Sequence, residues 1–96
     1  MTPEGKIKKF TTELQKRYKA AYFMPVSNGM GRAGISDIIV CYKGRYAAIE
    51  TKSAKGKPTA LQVIFMNEIV EAGGKAFIVR DETSLGEVEK WLRSII

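Results

Sequence analysis

The sequence predicts an α/β fold in which a mixed central sheet is flanked by helices in the order αβββαβα. Three observations lead there. Residues 37–52 hold two β-rich runs joined at Lys43-Gly44, a hairpin signal. Apolar residues recur at helical spacing near both ends of the chain. A helical segment separates the hairpin from the last strand, a connection that suits a mixed sheet with helices packed on it.

The elements follow in order. Thr2 suits an N-cap and Pro3 the first helical position. Ile7, Phe10, Leu14 and Tyr18 form one apolar stripe, with Lys6, Lys9, Lys16 and Arg17 outside it. Ala21 to Val26 reads as a short strand, and Pro25 places it at an edge or at its end. Ser27 to Ala33 is a loop. Gly29, Gly31 and Gly34 satisfy G-x-G-x-x-G, but they lead into a strand, not a helix, so a dinucleotide site is not implied. The loop is either a plain connection or a carrier of Arg32 toward a phosphate backbone.

After the hairpin, Ser53 to Pro58 is a polar loop bearing Lys55 and Lys57. Thr59-Ala60-Leu61-Gln62 reads as a capping box. The helix it starts is apolar over a wide arc through Ile64, Phe65, Met66, Ile69 and Val70. It is expected to be largely buried, in part against a second subunit. Gly73-Gly74 ends it. Lys75 to Arg80 is a strand with Ala76 to Val79 as a buried run. Asp81-Glu82-Thr83 turns, and Ser84 to Glu87 is a second capping box. Leu85, Val88, Leu92 and Ile95 form the stripe of the last helix, with Trp91 at its side. Cys41 reads as a small core residue.

Composition narrows the chemistry. Ninety-six residues make one domain, residues 1–96, with an apolar content of 45% that suits a globular chain. So small a domain gains stability from homodimerisation. The net charge of +6 favours an acidic partner, nucleic acid first and an anionic membrane second. A single cysteine excludes an internal disulfide framework. The absence of histidine excludes zinc sites built on it, Ser-His-Asp triads and histidine bases. No apolar run is long enough to span a bilayer, and the start of the chain lacks an apolar signal core, so a cytoplasmic protein is expected.

Three polar residues in the hairpin carry the functional reading. Asp37 opens the first strand; Glu50 and Lys52 close the second and share a face. A two-residue turn at Lys43-Gly44 sets Asp37 opposite Glu50. A turn at Gly44-Arg45 sets it opposite Lys52, and a three-residue loop splits the set unless a bulge intervenes. Opposed carboxylates have Cβ atoms about 5 Å apart. At about 4 Å and an effective dielectric of about 20, two like charges repel by about 4 kcal/mol. A divalent cation reverses that repulsion, and Mg²⁺ is typically held by one or two carboxylates, waters and substrate phosphates. The plainer alternative is a surface salt-bridged hairpin, worth about 0–1 kcal/mol. It does not explain why Glu50 and Lys52 follow the apolar Ala47-Ala48-Ile49. Glu4 and Gln62 each have a structural reading too: a carboxylate favoured by a helix N-terminus, and the return bond of a capping box.

Asp37, a hairpin and Glu50-Thr51-Lys52 resemble the PD-(D/E)xK nuclease core. The wider series resembles the VRR-NUC (virus-type replication-repair nuclease) family: Glu4, Gly34-Ile35-Ser36-Asp37, Ile49-Glu50-Thr51-Lys52, Gly56-Lys57, Gln62 and Gly73-Gly74 before a strand ending at Arg80. Ser36 stands where the family often has proline. The resemblance implies a restriction-endonuclease-like core and a metal-dependent deoxyribonuclease using Mg²⁺ or Mn²⁺. It implies Asp37, Glu50 and the Thr51 carbonyl as metal ligands, with Glu4 on a second ion or a coordinated water. It makes Lys52 the residue that orients or deprotonates the attacking water, and Gln62 a positioning residue. Lysine is a poor base unless a metal or burial lowers its proton affinity. Lys8, Lys9, Arg32, Lys55 and Lys57 are the expected contacts to DNA phosphates, with recognition by shape. Stand-alone members of the family imply a homodimer acting on branched DNA or four-way (Holliday) junctions, and a phage origin would place it in the host cytoplasm. A non-catalytic or partner-dependent nucleic-acid-binding module with the same fold is the alternative.

Overall fold

The computed structural model describes residues 2–26 and 31–95. Helix α1 (Pro3–Tyr18) starts as its sequence dictates: the Thr2 hydroxyl accepts the Gly5 amide at 3.0 Å and Pro3 takes the first turn. Its buried stripe is not the expected one. Phe10 is exposed, while Thr11, Leu14 and Gln15 are buried with Ile7 and Tyr18 packed beside them. The spacing 7, 11, 14, 15, 18 is helical, but it runs through two polar residues that hydropathy passes over. Thr11 bonds the Ile7 carbonyl at 2.7 Å. Neither polar atom of the Gln15 side chain finds a partner among the described residues.

Strand β1 (Ala21–Phe23) stops ahead of Pro25, short of the expected end at Val26. Of the glycine-rich loop, Ser27 to Met30 lie outside the described residues, and Gly29 with them. Strands β2 (Ile38–Tyr42) and β3 (Arg45–Thr51) form the hairpin. Lys43 and Gly44 both have positive φ, 50° and 81°, as a two-residue type I′ turn requires. Tyr42 pairs with Arg45 and Ile38 with Ile49. That register selects the turn at Lys43-Gly44 and, one step further, faces Asp37 with Glu50.

Helix α2 (Ala60–Glu71) then carries the chain to β4 (Lys75–Val79), which pairs with β3 in parallel. The sheet order is β1-β2-β3-β4, antiparallel except for the last pair, so the sheet is mixed as expected. On one face Ile38, Val40, Ala47, Ile49 and Val79 pack with Leu14 of α1 and with Val88 and Leu92 of the last helix, α3 (Glu82–Ser94). Side chains alternate along a strand, so Asp37 and Glu50 belong to the other face, the one that α2 covers. No helix among the described residues is long and apolar enough to cross a membrane.

Four further expectations need correction. Helix α2 buries only Met66 fully, and Leu61, Val63, Ile64 and Val70 are exposed. A single helix resting on a narrow sheet offers it one stripe, however wide its apolar arc. Ala76, Phe77 and Ile78 are half-buried because β4 is an edge strand. Cys41 is exposed; it falls on the α2 face of the sheet, beyond that helix's reach. Helix α3 is capped by Asp81, not Ser84: Asp81 accepts the Ser84 amide at 2.9 Å, and the Ser84 hydroxyl accepts the Asp81 amide at 3.1 Å.

Candidate active site

The site forms where β2 begins and β3 ends. Asp37 stands just before β2. Its Oδ2 accepts the Thr51 amide at 2.9 Å and the Thr51 hydroxyl at 2.8 Å, and Lys8 Nζ of α1 lies 4.0 Å from its Oδ1. Burial pushes the Asp37 pKa up. The two Thr51 bonds, the neighbouring Glu50 carboxyl and the Lys8 charge outweigh burial and leave it below its ordinary value.

Glu50 is 1% exposed. Its Oε1 accepts Gln62 Nε2 at 3.0 Å and lies 3.7 Å from Lys52 Nζ. Its Oε2 is buried with no partner among the described residues. Burial, then the neighbouring Asp37 carboxylate, raise the Glu50 pKa to about 7 against the pull of Lys52. Two neighbouring carboxyls with pKa values driven apart share one proton near neutrality.

This donor set fits a divalent cation. It offers an ionised carboxylate, a second carboxylate with an orphaned buried oxygen, and the Thr51 carbonyl. That carbonyl shares the strand edge of the Thr51 amide, which points at Asp37. Hard cations of the Mg²⁺ type take such oxygens and complete their shell with water and phosphate. Among the described residues no three of the carboxylate, cysteine and histidine side chains come together, so the chain supplies two carboxylates. Glu4 stands apart: it is exposed, and its Oε1 meets the Ser53 amide at 3.4 Å, in the loop after Lys52.

Gln62 resolves its two readings by doing both. Its Oε1 accepts the Thr59 amide at 2.8 Å, completing the capping box, while its Nε2 holds Glu50. The start of α2 is further fixed by Gly34, at φ 83°. A Cβ there would come within 2.6 Å of the Leu61 backbone, so the loop into Asp37 lies directly against the helix.

The expected DNA contacts do not behave alike. Lys9, on α1, and Lys55 and Lys57, in the loop after Lys52, are exposed. Lys8 is committed in part to Asp37. Arg32 is engaged elsewhere, 2.5 Å from Glu68 and 5.3 Å above the Phe65 ring. One contributor is missed by sequence reasoning. Arg80 Nη1 donates to the Ser53 carbonyl at 3.1 Å and to the Gly56 carbonyl, and so clasps the loop that follows Lys52. Its place at a strand end carries no signal of that bond. Ser36, the departure from the family pattern, is buried with its hydroxyl unpartnered among the described residues, and it donates nothing to the site.

No known family profile matches the chain, and no curated protein matches its sequence. A solved structure of a VRR_NUC domain does match its fold, with a TM-score of 0.80 over 94% of this chain and 97% of that one, at 21% identity. At that identity the likeness is one of fold, and the chain carries the fold of a VRR_NUC domain, in agreement with the motifs in its sequence.

Proposed function

We propose that the protein is a metal-dependent endonuclease that hydrolyses DNA phosphodiester bonds, acting as a homodimer on branched or four-way-junction DNA. One observation carries the reading: two opposed carboxylates, one with an orphaned buried oxygen, beside a lysine on the same face. A surface salt bridge has no use for a buried, unpartnered carboxylate oxygen, whose desolvation is a cost. Asp37, Glu50 and the Thr51 carbonyl would hold Mg²⁺ or Mn²⁺. When bound, such an ion offsets the negative charge of a phosphodiester under attack.

The chain's own residues do the rest. Gln62, anchored at its other end on Thr59, fixes Glu50 Oε1 and leaves Oε2 to coordinate. Lys52 sets an ammonium beside the carboxylates, where it stabilises developing phosphate charge and orients the attacking water. Glu4 acts through water or a second ion, and its loss is the milder one. Lys8, Lys9, Arg32, Lys55 and Lys57 contact phosphates, Arg32 after exchanging Glu68 for DNA. The exposed apolar residues of α2 support a second copy of the chain at that helix.

The test uses a labelled immobile four-way junction and a matched linear duplex with Mg²⁺, Mn²⁺ or EDTA. Metal-dependent, symmetric nicking of the junction is expected, reduced by on the order of 10²-fold or more in Asp37→Ala and Lys52→Ala. Equal cutting of both DNAs removes the junction preference. Tight binding without cutting under either metal replaces the enzyme with a binding module or a partner-dependent subunit.

A further inference from the structure

Strand β3 runs from one concave site to another. Its end holds the carboxylates; its start borders a cavity of about 440 Å³ between the hairpin turn, the start of β4 and the end of α3. That volume is in the range of sites that take small molecules. Lys43, Arg45 and Lys75 line the cavity together with Trp91 of α3, Tyr46 borders it from β3 with its side chain on the α2 face of the sheet, and no acidic residue among the described ones joins them. None of these three cations forms an ion pair among the described residues. Trp91 is half-buried and held against Phe77, ring centres 5.8 Å apart.

Three exposed cations around one hollow, with Lys43 Nζ 5.1 Å from the centre of the Tyr42 ring, give it a positive potential that favours an opposing charge. The nearest internal source is the carbonyl end of a helix, since α2 and α3 both finish on this side. That demand is partly met already. The Ala72, Gly73 and Gly74 amides bond the Glu68, Val70 and Ile69 carbonyls, and the Ile95 amide bonds Leu92.

We infer that this cavity binds a phosphate group of nucleic acid, with the adjoining nucleobase or sugar against Trp91. Cations that track a phosphate and aromatic rings that accept a base are the two components of sequence-tolerant nucleic-acid binding. From Arg45 to Glu50 the strand advances about 17 Å at about 3.3 Å per residue. Only the assignment to a DNA strand rests on the nuclease reading; the phosphate chemistry of the cavity stands without it.

Trp91 is the only tryptophan in the chain and also lines an adjoining hollow with Phe77, Glu87 and Lys90, so variants of the cavity cations are needed to assign a change in its emission to this cavity. The full-length protein is titrated in EDTA with a short DNA duplex, with dAMP and with inorganic phosphate. Arg45→Glu/Lys75→Glu and the milder Arg45→Gln/Lys75→Gln run alongside. A saturable change in emission with duplex is expected, about 10-fold weaker in the charge-reversed protein and intermediate in the neutral one. A change with duplex only assigns the site to a DNA backbone. A change with dAMP or phosphate as well assigns it to a free nucleotide or anion as source. Emission unmoved by all three ligands, or moved equally in both variants, overturns the inference. So does a lowered Tm on charge reversal with unchanged titrations, which gives the cations to the helix ends. Junction cutting by a protein whose Trp91 emission stays silent removes the cavity and keeps the nuclease. A responsive Trp91 in a protein that never cuts does the opposite.

Discussion

Glu50 and its unpartnered oxygen make the site unstable by itself, and the sign of that instability can be measured. The folded-state pKa, about 7, lies above the ordinary value of 4.5, so the folded chain holds the proton across that window. Stability without metal therefore falls as pH rises from about 4.5 to about 7, and the loss is complete above it. Asp37 works the other way: its lowered pKa adds stability that is lost as acid protonates it. Glu50→Gln is expected to flatten the decline and to stabilise the metal-free protein at pH 8, by up to about 3 kcal/mol in urea denaturation. Millimolar Mg²⁺ or Mn²⁺ should raise the Tm of the wild type at that pH and leave Glu50→Gln unmoved. A variant that still gains stability from the metal would dismiss Glu50 as a ligand. The opposition of Asp37 and Glu50 was legible because strand pairing is arithmetic once the turn is known. The dual bond of Gln62 was not: a sequence offers capping and catalysis as rivals, whereas one amide has two ends. Nor was Arg80, whose partners are carbonyls that every residue possesses.

At the scale of the element, helix periodicity was readable and burial depth was not. Gln15 lies in the α1 stripe because of where its Cβ points, and a hydropathy pattern assigns that place to Phe10. A buried amide without partners costs about 1–3 kcal/mol. Gln15→Leu should therefore raise stability by about 1 kcal/mol or more, seen as a higher midpoint in chemical denaturation at unchanged slope. An unchanged or lower midpoint would mean that the amide is satisfied in solution. Helix α2 shows the same limit from the other side. Its apolar arc says that something covers it, but not whether the cover is this chain or a second one. If the proposed dimer forms there, Ile64→Glu should shift the sedimentation coefficient to that of a monomer. The same variant in a protein that is monomeric from the start would sediment unchanged and sink the dimer.

For the whole molecule, the charge of +6 and the fold lead to one expectation about salt. Phosphate contacts release counterions, and the slope of log K against log[salt] falls by about 0.9 for each contact made. Lys55→Ala/Lys57→Ala should flatten the slope by about 2 in duplex binding without changing which DNA is preferred. A slope left unchanged would return both lysines to the solvated surface. The architecture itself was the most legible part. Lys43-Gly44 marked the hairpin, and a helix between strands suggested a mixed sheet, in which β4 lies parallel to β3. The distant basic cavity was invisible, since Lys43, Lys75 and Trp91 meet only once the chain has folded.

The sheet order β1-β2-β3-β4 has a consequence for how the protein is made. Each strand lies next to the one synthesised just before it, so no strand waits for a distant pairing partner, although α1 meets α3 only at the end. The hairpin, and then the cap that brings Gln62 to Glu50, can close while the rest is still on the ribosome. Of the bonds described around the site, the Lys52 amide to the Val79 carbonyl and the Arg80 clasp are the ones that depend on the last quarter of the chain. The loop behind Lys52 is thus the final piece set in place, and a nascent or truncated chain would carry its carboxylates assembled but its lysine unanchored.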